Sequence, residues 1–134
     1  MSTGHLAMHV NSVSGQIVDA AIRVHSVLGP GSLEGAYQAC LAHELRKRGL
    51  RVVREVSLPV FYDGLKIELG YRLDLLVEEA VIVELKATAK LLPVHEAQLL
   101  SYLKLSGHHF GLLINVHVPR LKEGINRIVS RLDV

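Results

Sequence analysis

The chain has 134 residues, 49% of them hydrophobic, which is enough to bury one substantial core and form a single domain. Its net charge of +2 is too mild to announce a nucleic-acid partner by itself. Charge interrupts every apolar stretch well before the roughly 18 residues a membrane-spanning helix needs, and the single cysteine, Cys40, excludes an intrachain disulfide and suits a reducing cytoplasm.

Met1 to Val10 lacks a basic start followed by an apolar core, so no secretory signal is read there. Residues 1–11 are expected to be a mobile tail ahead of one domain over 12–134. Ile17, Ala20, Ala21, Val24, Val27 and Leu28 recur at helical spacing, and the periodicity predicts a helix over 13–28 that Gly29-Pro30-Gly31 stops. Ser32 is the expected N-cap of a second helix that reaches Arg48 and ends at Gly49, with Cys40 as a small core residue within it. Arg46, Lys47, Arg48, Arg51 and Arg54 form one basic stretch and Arg120, Lys122, Arg127 and Arg131 another; either could meet phosphates, although solvated helix ends are the commoner reason for such runs.

Three β-type stretches come next, over 52–61, 65–77 and 80–87, with Asp63-Gly64 as the first turn, and they predict an antiparallel meander. In the last of them Ile82, Glu84 and Lys86 share one sheet face, while Val81, Val83 and Leu85 share the other. The turn before it decides where Asp74 lies. A three-residue loop sets Asp74 opposite Glu84, whereas a two-residue loop sets it opposite Val83 on the wrong face. The expectation is the three-residue loop or a bulge. Two carboxylates about 4 Å apart then repel by roughly 4 kcal/mol at an effective dielectric near 20. A salt bridge to Lys86 is one way to offset that, and a divalent cation with hard oxygen ligands, magnesium or manganese, is the other.

Pro93 opens a third predicted helix over 93–106, stopped by Gly107. His95, Gln98 and Tyr102 fall on one stripe of it, which is either its solvent face or a polar face turned to the acids. Residues 110–116 read as a buried strand, parallel to an earlier one because a helix precedes it, and 124–132 as a weaker strand or short helix. Glu34, in the first turn of the second helix, gains from the helix dipole with or without a role in chemistry. The histidines show no zinc spacing, and no glycine-rich phosphate loop is present.

Gly31-Ser32-Leu33-Glu34-Gly35-Ala36-Tyr37 reads G-x-x-E-x-x-Y. With Gly70-Tyr71-Arg72-Leu73-Asp74, Val83-Glu84-Leu85-Lys86-Ala87 and Pro93-Val94-His95-Glu96-Ala97-Gln98-Leu99, it resembles the GxxExxY family of small bacterial proteins, within the PD-(D/E)XK nuclease superfamily. The resemblance covers about residues 13 to 130. It implies an α/β, restriction-endonuclease-like core (αβββαβ) with a mixed central sheet flanked by helices, and magnesium-dependent hydrolysis of phosphodiesters, with manganese as a substitute. By that resemblance Asp74 and Glu84 are metal-binding acids, Lys86 is the catalytic lysine, and the Leu85 carbonyl completes the metal shell. Glu34 is the additional helix-borne acid, and Gln98 with Tyr102 is similar to the Q-x-x-x-Y motif of RecB-type nucleases. Tyr102, Arg72, Lys90, His95 and Tyr37 are the candidates for nucleic-acid contact. Leu73 stands where the superfamily's name has proline.

The implied reaction is in-line attack of metal-activated water on nucleic acid, DNA rather than RNA, in the cytoplasm. The alternatives are a catalytically silent nucleic-acid-binding or protein-interaction module, and a purely structural acidic cluster. So small a domain is expected to draw specificity from a homodimer or a partner protein, with the apolar face of the first helix as the interface.

Overall fold

The computed structural model describes residues 3–131. Helices α1 (Thr3–Leu28) and α2 (Glu34–Lys47) come first, followed by strands β1 (Val52–Tyr62), β2 (Leu65–Val77) and β3 (Val81–Lys86). Helix α3 (Pro93–Ser106), β4 (Phe110–Asn115), a 3-10 turn over Leu121–Gly124 and β5 (Ile125–Val129) complete the order. The five strands lie side by side in chain order in one sheet. Consecutive strands run antiparallel except β3 and β4, which are parallel because α3 lies between them. The last element, open between strand and helix from sequence, is the strand β5 after its 3-10 turn.

Both hairpins are set by left-handed backbone. Asp63 and Gly64 have φ of 52° and 77° between paired Tyr62 and Leu65, the two-residue turn that Asp-Gly favours. The next ladder ends at Val77 opposite Val81, which leaves a three-residue loop of Glu78, Glu79 and Ala80. Glu78 and Glu79 are left-handed at 54° and 52°, and the Ala80 N–H closes onto the Val77 carbonyl at 3.0 Å. Arg51 holds this loop from outside: its N–H donates to Glu78 Oε2 at 2.7 Å, and its carbonyl accepts from the Glu78 N–H at 2.9 Å.

One sheet face packs on α1 and α2 through Val52, Leu75, Val77, Val81, Val83, Leu85, Leu112 and Ile114. The other packs on α3, where Leu73, Ile82 and Leu113 meet Leu99, Tyr102 and Leu103. Leu73 and Leu75 have the same parity yet sit in different layers, as do Val56 and Val52. Simple alternation therefore breaks between them. The break falls at Glu55, a strand residue with φ of 52°, which the register sets across from Asp74. A left-handed residue inside a strand swivels the chain beyond it, and here it carries the β1–β2 ribbon from one layer to the other.

Four expectations are corrected at the helical layer. Residues 3–11 of the expected tail are helical, with Val10 buried in the core, while Met1 and Ser2 lie outside the described residues. The apolar face of α1, expected as an interface, is used within the chain: Ile17, Ala20, Ala21 and Val24 pack against α2 and the sheet. Cys40, expected in the core, is exposed on the rim of a groove between α1 and α2. Ser32 does not cap α2, whose N-cap is Leu33; its hydroxyl donates to the Gly29 carbonyl at 3.2 Å.

Candidate active site

The ladder between β2 and β3 runs from Val77–Val81 to Leu75–Val83, and one further step sets Asp74 opposite Glu84. The two side chains bind crosswise to each other's strand. The Asp74 N–H donates to Glu84 Oε2 at 2.7 Å, and the Leu85 N–H donates to Asp74 Oδ2 at 2.8 Å. Glu84 is 4% exposed and Asp74 half-buried. Burial pushes the Glu84 carboxyl up to about 8, with the Asp74 charge adding to it. Asp74 is also raised by burial, opposed by its Leu85 amide bond and by Lys86. The pair therefore resists double ionisation.

Lys86, on the same face as Glu84, donates from Nζ to Gln98 Oε1 of α3 at 3.1 Å, and its charge lowers both carboxyls. The polar stripe of α3 thus reaches the sheet at Gln98. Glu34, the first residue of α2, crosses the end of β3, where its Oε1 accepts the Ala87 N–H at 2.7 Å. Its charge raises both Asp74 and Glu84.

The chain leaving Lys86 is clamped by Asn115, to which the sequence motifs assign no part. Buried at the end of β4 and paired with Lys86 in register, its side chain accepts from Thr88 N–H at 3.2 Å and His117 N–H at 3.1 Å. It also donates to the Thr88 carbonyl at 2.8 Å. A lone amide closing an apolar strand was the available signal. Glu55, whose charge also raises Asp74, was missed too, because nothing in sequence marks a left-handed residue in a strand. Tyr71 lies within a motif but carries no expected role, and its ring lies 5.1 Å from that of Tyr102.

The remaining candidates divide. Tyr102 lies at the site, 5% exposed, its phenol pushed up to about 12 by burial and by the Glu84 and Asp74 charges. His95 caps α3, with Nδ1 accepting the Leu92 N–H at 2.9 Å. Lys90 is exposed in the loop ahead of α3. Arg72 is exposed and alternates to the ribbon face opposite Leu73, away from α3, so it does not join the acids. Tyr37 is a correction. It is fully buried, its hydroxyl donates to the Ala21 carbonyl, and burial raises its phenol far above the ordinary range, so it is a core residue with no surface for nucleic acid.

Among the described residues no three His, Cys, Asp or Glu side chains cage a metal by themselves. The donor set is two carboxylates, with Glu34 tied to Ala87 beside them. That set fits magnesium, which binds through one or two carboxylates, retains waters and takes further oxygens from substrate phosphates. Fixed carboxylates that resist joint ionisation gain from a cation between them.

A five-stranded mixed sheet with helices on both faces and this acid–acid–lysine edge is an α/β fold of the restriction-endonuclease type. The chain belongs to the PD-(D/E)XK nuclease superfamily, whose family model matches residues 11–128. No curated protein and no solved structure matches it. No helix among the described residues is long and apolar enough to cross a membrane.

Proposed function

We propose that this chain is a divalent-metal-dependent nuclease of the GxxExxY group, acting on DNA rather than RNA in the cytoplasm. Asp74 and Glu84 hold the cation, magnesium or in its place manganese, together with the Leu85 carbonyl. Such a cation supplies Lewis-acid polarisation of the phosphate and acidifies water. Lys86, oriented by Gln98, neutralises charge that develops on the phosphate in the transition state. Glu34 steadies the strand end at Ala87 and adds negative charge to the cluster. Tyr102 and Lys90 contact the nucleic acid, and a partner or second copy supplies specificity through a surface other than the apolar face of α1.

The observation that carries this reading is the crosswise pair of buried Glu84 and half-buried Asp74, held by backbone amides on the face that also presents Lys86. A structural cluster would neutralise its acids by direct ion pairing. Instead Lys86 bonds to Gln98, and both carboxyls stay raised.

Calorimetric titration of magnesium and manganese, followed by incubation with labelled single-stranded, duplex and branched DNA and with RNA, tests the proposal. Metal binding lost in Asp74→Asn and cleavage lost in Lys86→Ala support it. Metal binding with no cleavage of any substrate leaves a binding module, and cleavage that survives Lys86→Ala points to a contaminant.

A further inference from the structure

Beside the acids, a cleft of about 280 Å³ opens between β2 and α3, lined by Tyr71, Val94, Ala97, Gln98, Ser101 and Tyr102. Its size falls just below the roughly 300–1,000 Å³ of small-molecule sites, so it suits one flat ring system rather than a larger ligand. None of the six side chains is cationic, which makes the cleft a poor seat for phosphate. It is a good seat for a neutral planar group. The rings of Tyr71 and Tyr102 are 5.1 Å apart and inclined at 50°, and Tyr102 is buried while Tyr71 is 44% exposed. Val94, at the start of α3, is 63% exposed and adds apolar surface.

The cleft is linked to the proposed catalytic edge through two of its lining residues. Gln98 lines it and also accepts the Lys86 bond, and the Tyr102 phenol feels the charges of Glu84 and Asp74. A ring held there belongs to the same molecule as a phosphate at the acids only if that molecule presents a planar group next to its phosphodiester. An unpaired nucleotide does so. In an intact duplex the bases are stacked inside and one would have to be flipped out, at a cost in unstacking.

We propose that the Tyr71–Tyr102 cleft takes an unpaired nucleobase of the strand at the catalytic edge, so that the substrate class is single-stranded nucleic acid or a single-stranded end rather than intact duplex. This rests on the nuclease reading for its choice of ligand. Tyr71 stacks on the base, Val94 covers its edge, and Gln98 ties base position to Lys86. Stacking of one base on an aromatic side chain is worth roughly 5- to 150-fold in affinity, with little dependence on which base it is.

The test is fluorescence anisotropy of the full chain in calcium, using a labelled oligothymidylate, the same oligonucleotide with abasic positions, and a blunt duplex of equal length. The expected result is binding of the single strand about tenfold or more tighter than the duplex, lost with the abasic strand. Tyr71→Ala loses about the same factor and Tyr71→Phe, which keeps the ring, does not. Val94→Glu, at an exposed position that leaves the core untouched, also weakens single-strand binding, so the result does not hinge on how Tyr71→Ala folds. Equal affinity for the blunt duplex, or full affinity in both Tyr71→Ala and Val94→Glu, overturns the proposal. Cleavage in magnesium without a strand preference overturns the cleft and leaves the nuclease standing. A strand preference that depends on Tyr71, without cleavage of any substrate, supports the cleft and removes the hydrolytic reading.

Discussion

Glu84 accepts the main-chain N–H of Asp74 at 2.7 Å, while Asp74 accepts the N–H of the residue after Glu84 at 2.8 Å. Each acid is thus aimed by the other's strand, and neither can turn away without losing a hydrogen bond in a buried place. Geometry that is fixed before any ligand arrives reduces the ordering needed on binding.

That arrangement makes stability depend on pH in an unusual direction. The folded Glu84 carboxyl is raised to about 8 from an ordinary 4.5, so between those values the folded state holds more protons than the unfolded. Its contribution is fully present below pH 4.5 and is lost as pH rises through about 8. Metal-free protein is expected to lose resistance to urea from pH 5 to 8, with Glu84→Gln gaining roughly 1–3 kcal/mol over wild type at pH 8. Magnesium should flatten the wild-type profile and leave Glu84→Gln unmoved. Urea titrations across pH, in chelator and in magnesium, read both effects.

Lys86 and Gln98 are coupled by a 3.1 Å bond from β3 to α3. Lys86→Ala is expected to lower single-turnover cleavage by roughly 10²- to 10³-fold, as removal of a transition-state charge partner does elsewhere. Gln98→Ala should cost about tenfold by releasing the lysine, and the double variant should be no slower than Lys86→Ala alone. Additive losses would mean that the two side chains act separately.

The Asn115 side chain accepts the Thr88 N–H and donates to the Thr88 carbonyl, and it accepts a third bond from the His117 N–H. Asn115→Ala removes three hydrogen bonds made by a buried side chain and is expected to destabilise by about 1–3 kcal/mol in chemical denaturation. Hydrogen exchange at Thr88 should accelerate more than exchange at Leu113, which lies within the β4 ladder.

Gly70 admits no side chain, because a Cβ there would lie 2.2 Å from the Leu58 carbonyl oxygen, beside the register shift between β1 and β2. Gly70→Ala is expected to destabilise by about 1–3 kcal/mol through forced backbone movement. Its melting temperature should fall while Asn126→Ala, on β5 at the far edge of the sheet, stays near wild type.

Periodicity and turn chemistry alone determined most of the architecture. Apolar alternation set the face of Glu84 and Lys86, Asp-Gly marked the first hairpin, and Pro93 with Gly107 bounded α3. These features are legible because they depend on residues near one another along the chain. Tertiary structure alone decided between the two hairpin registers, since left-handed backbone at Glu78 and Glu79 is uncommon for such residues and obeys no local rule. It also moved Cys40 to the surface and Tyr37 into the core, because helical spacing shows which residues share a face but not what that face meets. The swivel at Glu55, the Asn115 clamp and the Tyr71–Tyr102 contact join residues distant in sequence. Their geometry comes from β1 pairing with β2, from the end of β4 meeting the loop after β3, and from α3 packing against the sheet, none of which a single window of the sequence contains.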